Sequence, residues 1–144
     1  MKIYLAYRYT REDHDELRKT LHQLCPAIEK AGHTCYCCLD DQKHFLKNNY
    51  THQQILEHAL HELDKSDTLL AYIKGAEKSE GMLLEIGYAL AKKKRFILAV
   101  KKGVRTTFLH EIAHQVIEWE TMEELIEKLK KLKVSKKPKT NSIK

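Results

Sequence analysis

The chain contains no hydrophobic run near the roughly 18 residues that a membrane-crossing helix requires, and no secretory leader pattern follows Met1. The expectation is a soluble, cytoplasmic protein without a membrane partner. Glycine and proline are scarce, five and two in 144 residues. Neither G-x-G-x-x-G nor G-x-x-x-x-G-K-[ST] occurs, so dinucleotide-fingerprint and P-loop chemistry are unsupported. No internal repeat is visible, which speaks against a solenoid. Cysteine is limited to four residues, and Cys35, Cys37 and Cys38 crowd into one segment. Strand alternation points Cys35 and Cys37 the same way, a poor disulfide framework that fits reduced, partly buried thiols. Cys35 and Cys38 form a C-x-x-C with His33 and His44 nearby, but no second pair stands at ligand spacing for zinc.

Acidic residues are missing from the C-terminal tail. The net charge is +6, yet Lys133 to Lys144 hold five lysines and no acid, which leaves the preceding 132 residues near +1. The basic character is that of a tail, with the composition of a disordered, solvated terminus from residue 133 onward. It does not point to nucleic acid as a partner. Residues 1–132, 42% of whose parent sequence is hydrophobic, suffice for a single domain with one core.

Within that domain, strand-like and helix-like segments alternate. Ile3 to Tyr7 reads as a buried strand. Arg11 to Ala31 follows with Leu17, Leu21, Leu24 and Ile28 at helical spacing, Pro26 as a break or kink, and Gly32 as a stop. Thr34 to Cys38 reads as a second strand and Asp40 to Tyr50 as a polar loop. Thr51 is a candidate cap for a helix reaching Lys65. Thr68 to Ile73, Phe96 to Val100 and Val116 to Trp119 complete five strands, and Leu125, Ile126, Leu129 and Leu132 mark a last amphipathic helix. Strands separated by helices imply a flavodoxin-like (Rossmann-like) doubly wound, five-stranded parallel sheet with helices on both faces. Its ligand crevice lies beyond the carboxyl ends of the strands. The loops after strands one, three and four would line that crevice: Tyr7 to Thr10, Lys74 to Ser79, and Lys101 to Phe108. A lining of Arg, Lys, Tyr and hydroxyls suits a polar, phosphorylated ligand.

One carboxylate dominates this picture. Glu85 stands in an otherwise apolar helical run, Gly81 to Ala91, where an ionised group is costly unless it is used. Gly81 lies one turn earlier on the same face and leaves room for a ligand. Ser79 is a candidate N-cap, and the helix dipole is expected to keep Glu85 ionised at neutral pH. His110-Glu111-Ile112-Ala113-His114 matches H-E-x-x-H, the zincin signature. The candidate helix is short, however, and no third ligand follows, so a solvated helix face is the favoured reading.

The segments Ile3-Tyr4-Leu5-Ala6, Asp64 to Leu70, and Ser79-x-Gly81-x-x-x-Glu85-x-Gly87-x-Ala89 together resemble the nucleoside 2-deoxyribosyltransferase superfamily. That group includes the 2'-deoxynucleoside 5'-monophosphate N-glycosidases. The resemblance spans residues 2 to 119 and implies N-glycosidic bond cleavage or transfer on a nucleoside or nucleoside 5'-monophosphate. It makes Glu85 the nucleophile, through a glycosyl-enzyme intermediate, and Tyr4 the residue that orients it. Ser79 stands where the monophosphate hydrolases carry serine and the transferases aspartate, which tilts the reading toward a nucleotide. Tyr7, Arg8, Ser79, Gly81, Arg105, Thr106 and Thr107 are the implied substrate-binding residues. The last three are expected to reach a neighbouring subunit's pocket, since a homodimer or higher homo-oligomer is implied; no cofactor is. The family's acidic residue before strand three is Ala59 here, and His58 or His61 would have to take its role. The Gly-Ser turn of the hydrolases is replaced by Tyr7-Arg8-Tyr9. Two alternatives stand beside this reading. One is a Toll/interleukin-receptor-like NAD glycohydrolase, since Ser79 and Glu85 keep its six-residue spacing; the other is a non-catalytic nucleotide-binding module.

Overall fold

In the computed structural model, residues 1–134 are described, and the expected basic tail beyond Val134 lies outside them. Five strands form one all-parallel sheet, β1 (Lys2–Ala6), β2 (Thr34–Cys37), β3 (Thr68–Ile73), β4 (Arg95–Lys101) and β5 (Gln115–Trp119), in the order β2-β1-β3-β4-β5. This is the flavodoxin-like order, and the chain reverses direction across the sheet between β1 and β3. Register is set along that central pair by Tyr4 opposite Leu69 and Ala6 opposite Ala71.

The sheet has two apolar faces because each strand alternates. Ile3 and Leu5 of β1 meet one core, built with α1 (His14–Lys30) and, after β5, α6 (Met122–Lys130). Tyr4 and Ala6 point the other way, into a core built with α3 (His52–Asp64) and α4 (Glu80–Ala91). That alternation places Tyr4 on the face that α4 covers. Among the described residues no helix is long and apolar enough to cross a membrane.

Several expectations needed correction. Pro26 does not divide α1, which runs unbroken from the Asp13 N-cap to Lys30. Pro26 is exposed, while Leu24, Ala27 and Ile28 around it are buried. Packing of that apolar stripe outweighs the one backbone hydrogen bond a proline removes. The segment read as a polar loop instead holds a 3-10 turn, Cys38–Asp41, and a helix, α2 (Gln42–Lys47), seated by the buried Phe45. Thr51 caps α3 as expected, in a reciprocal capping box with Gln54.

The zincin pattern is broken by the backbone. Helix α5 (Leu109–Ile112) is one turn long and ends before His114. His114 instead extends the β4–β5 ladder: its N–H donates to the Phe96 carbonyl at 2.9 Å, and its Nδ1 accepts from the Phe96 N–H at 2.9 Å. His110 Nδ1 lies 2.7 Å from the Thr106 hydroxyl. The C-x-x-C is split as well, with Cys35 against the α1-side core and Cys38 against the α4-side core. Among the described residues no group of three or more His, Cys, Asp or Glu is placed to hold a metal.

Candidate active site

Helix α4 begins where the sequence indicates: the Ser79 hydroxyl accepts from the Met82 N–H at 3.2 Å. Met82, Ile86 and Ala89 are buried against the sheet, which turns Glu85 toward the same side. There the Tyr4 hydroxyl donates a short hydrogen bond to the Glu85 carboxylate. A strand residue and a helix residue 81 positions apart in sequence thus hold one carboxylate in place.

Burial pushes the Glu85 carboxyl up from 4.5 to about 7, although the Tyr4 hydrogen bond favours the ionised form. This corrects the expectation of full ionisation at neutral pH. Glu85 lies in the second turn of α4, and the favourable field of a helix N-terminus fades within the first. The same burial, together with the adjacent Glu85 charge, raises the Tyr4 hydroxyl far above its usual range, so Tyr4 stays a neutral donor.

A second polar group shares this face. The Tyr36 ring packs 5.6 Å from the Tyr4 ring, and its hydroxyl donates a short hydrogen bond to Asp41. The Nε2 of His58 lies 3.0 Å from the Asp41 carboxylate and 3.2 Å from the Tyr36 hydroxyl. Cys38 stands close enough for burial and the Glu85 charge to raise its thiol to about 12. Residues from β2, the 3-10 turn and α3 therefore converge beside the Tyr4–Glu85 pair. Of the two histidines considered for the place left by Ala59, His58 joins this group and His61 is exposed. Asp41 carries no local motif and sits in the segment misread as a loop. Only the pairing of β2 with β1 brings it here.

At the carboxyl ends of β1 and β3 lies a crevice of about 430 Å³, lined by residues that include Arg8, Arg11, Glu12, Lys74, Glu77 and Met82. Arg8 is held between two carboxylates, with Nη1 3.1 Å from Glu12 and Nη2 2.5 Å from Glu77. Lys74 pairs with the other oxygen of Glu12 at 2.8 Å. Gly81 is exposed at the start of α4, with nothing within 4 Å of the position a Cβ would take. Tyr7 leans on the α1-side core, where burial and the Cys37 thiol keep its hydroxyl protonated. The loop after β4 does not line this crevice. Arg105 and Thr107 are exposed there, and Thr106 accepts from the His110 N–H at 3.1 Å to start α5.

The comparisons with known proteins agree with this architecture. The Clostridium botulinum CMP N-glycosidase structure superposes with a TM-score of 0.65 at 19% identity, over 90% of this chain and 98% of that one. A 2-deoxyribosyltransferase from Bacillus psychrosaccharolyticus gives 0.65 at 16% identity, covering 88% and 90%. A conserved protein from Enterococcus faecalis gives 0.57 at 18% identity, covering 90% and 97%. These likenesses establish the fold. No curated protein sequence matches the chain. The nucleoside 2-deoxyribosyltransferase family model matches residues 3–135, nearly the whole described chain, and the protein belongs to that family.

Proposed function

We propose that the protein cleaves the N-glycosidic bond of a deoxynucleoside 5'-monophosphate, with Glu85 as nucleophile. The observation that carries this reading is the Tyr4–Glu85 pair, a half-buried carboxylate on α4 held by a neutral hydroxyl donor from β1. Ionised Glu85 attacks the anomeric carbon as the carbon–nitrogen bond breaks, and the bonding electrons leave with the base. A proton from the Asp41–His58 pair neutralises the departing base, filling the place left vacant by Ala59. Water then attacks the glycosyl ester, giving its proton back to the Asp41–His58 pair and regenerating the carboxylate; a second base attacking in its place would make the protein a transferase. Tyr4 orients Glu85, while Tyr7, Ser79 and Gly81 border the space the sugar would fill. Arg8 is the candidate partner of the 5'-phosphate.

Arg105, Thr106 and Thr107 enter this reading through a second copy of the chain. The apolar side chains Leu83, Leu84 and Phe108 are 40%, 51% and 69% exposed on α4 and ahead of α5, which supports a homodimer through that side. The test is incubation with a panel of deoxynucleosides, their 5'-monophosphates and NAD, followed by chromatography of the released base. Base release from a monophosphate that disappears in Glu85→Gln is the expected result. Release from NAD alone would overturn the reading in favour of the glycohydrolase alternative.

A further inference from the structure

On the opposite side of the sheet from Glu85, three thiols gather where α1 crosses the edge strand β2. Cys35 and Cys37 share one face of β2 by strand alternation, and Cys25 comes down on them from α1. The Sγ atoms of Cys25 and Cys35 are 2.7 Å apart, well inside the roughly 3.5–4.0 Å at which unbonded carbon atoms rest. Cys25 and Cys35 are partly exposed, whereas Cys37 is buried. Cys38 belongs to the other face and takes no part.

We propose that Cys25 and Cys35 are a modification site: they form a reversible intramolecular disulfide by exchange with a low-molecular-weight disulfide. The hydrogen bond to the Cys35 sulfur is the largest of the influences that raise the Cys25 thiol. Cys35, partly exposed on the edge strand, is the sulfur that attacks first. Its thiolate displaces one thiol from the small disulfide and forms a mixed disulfide on Cys35. Cys25, already in contact, gives up its proton and attacks the Cys35 sulfur, releasing the second thiol. Two protein thiols are oxidised and one small disulfide is reduced to two thiols. Cys37 is excluded from the first step because a solute cannot reach it. The bridge fastens α1 to a sheet edge and closes the chain from Pro26 to Thr34. This inference is independent of the chemistry assigned to Glu85.

The full chain is incubated with oxidised glutathione, its free thiols are alkylated, and the digest is mapped by mass spectrometry. The expected product is a Cys25–Cys35 linked peptide lighter by two hydrogens, reversed by dithiothreitol. Removing the second sulfur in Cys25→Ser should trap the glutathione adduct on Cys35, at least tenfold above its level in the wild type. A lasting glutathione adduct on wild-type Cys35, a Cys25–Cys37 linkage, or four thiols that stay free would each overturn the proposal. The wild-type map needs no variant to fold, so the outcome is readable either way.

Discussion

Replacing Glu85 by glutamine should stabilise the protein and silence it, in a way that depends on pH. Burial raises the Glu85 carboxyl from 4.5 to about 7. Between those values the folded chain holds a proton that the unfolded chain has released, so stability contributed by this group falls as pH rises. The loss begins near 4.5 and is complete above 7. At about 1.4 kcal/mol per pH unit, the ionised carboxylate would cost the fold about 3 kcal/mol. Partial solvent contact at Glu85 reduces this toward about 1–3 kcal/mol. Glutamine keeps the volume, stays neutral, and offers the Tyr4 hydroxyl a carbonyl oxygen. Glu85→Gln should therefore match the wild type near pH 5 and exceed it near pH 8.5. For a domain of this size the gain corresponds to a rise in Tm of roughly 3–12 °C.

Thermal unfolding of both proteins at the two pH values measures this directly, and comparing the differences cancels every other titrating group. Turnover should be lost at both. In the wild type, kcat/KM should climb as pH rises toward 7, because only the carboxylate attacks. A variant equally stabilised or equally weakened at pH 5 and 8.5 would refute the link between burial and ionisation. Surviving turnover in a folded variant would refute the nucleophile.

Three further outcomes are expected. His58→Ala should slow release of an ordinary purine at least tenfold, yet leave an N7-methylated purine nucleotide nearly unaffected, since that base departs without needing a proton; equal slowing of both would remove the acid role and leave Glu85 untouched. A deoxynucleoside 5'-monophosphate should exceed its nucleoside in kcat/KM by about two decades, and Arg8→Ala should erode that preference more than it slows the nucleoside; equal wild-type rates would favour a nucleoside transferase. His114→Ala should lower stability by about 1–3 kcal/mol by leaving the Phe96 N–H unpaired, while His110→Ala should cost little and metal analysis should show no stoichiometric zinc in either.

The parts of the fold visible in the sequence were those fixed by long-range burial. Thr68–Ile73 is buried at every position, and a continuous apolar run bounded by polar residues identifies such a strand. Ser79 and the apolar face of α4 marked both the start of that helix and the side on which Glu85 lies. Helix α2 was invisible because six residues with only Phe45 buried carry no readable period. The same holds for the second half of the site. Tyr36, Asp41 and His58 come from three segments, and nothing in their spacing predicts that one imidazole meets both oxygens. Their meeting depends on β2 pairing with β1, a tertiary fact.

Charge in the crevice shows why residue type alone overstates a phosphate site. Arg8 reads as a free cation in the sequence, but two carboxylates already hold it. The two are not equivalent. The Glu12 side chain is 10% exposed and bridges Arg8 to Lys74, whereas that of Glu77 is 72% exposed. An ion pair so open to water contributes about 0–1 kcal/mol, little for an incoming anion to displace. A phosphate would then exchange for Glu77 alone, while Glu12 keeps the guanidinium aimed at the crevice. The Nη2 donor that grips Glu77 suits a phosphate oxygen as well as a carboxylate oxygen. On this arrangement, selectivity for a nucleotide would come from a cation held in readiness by a carboxylate that is easily released.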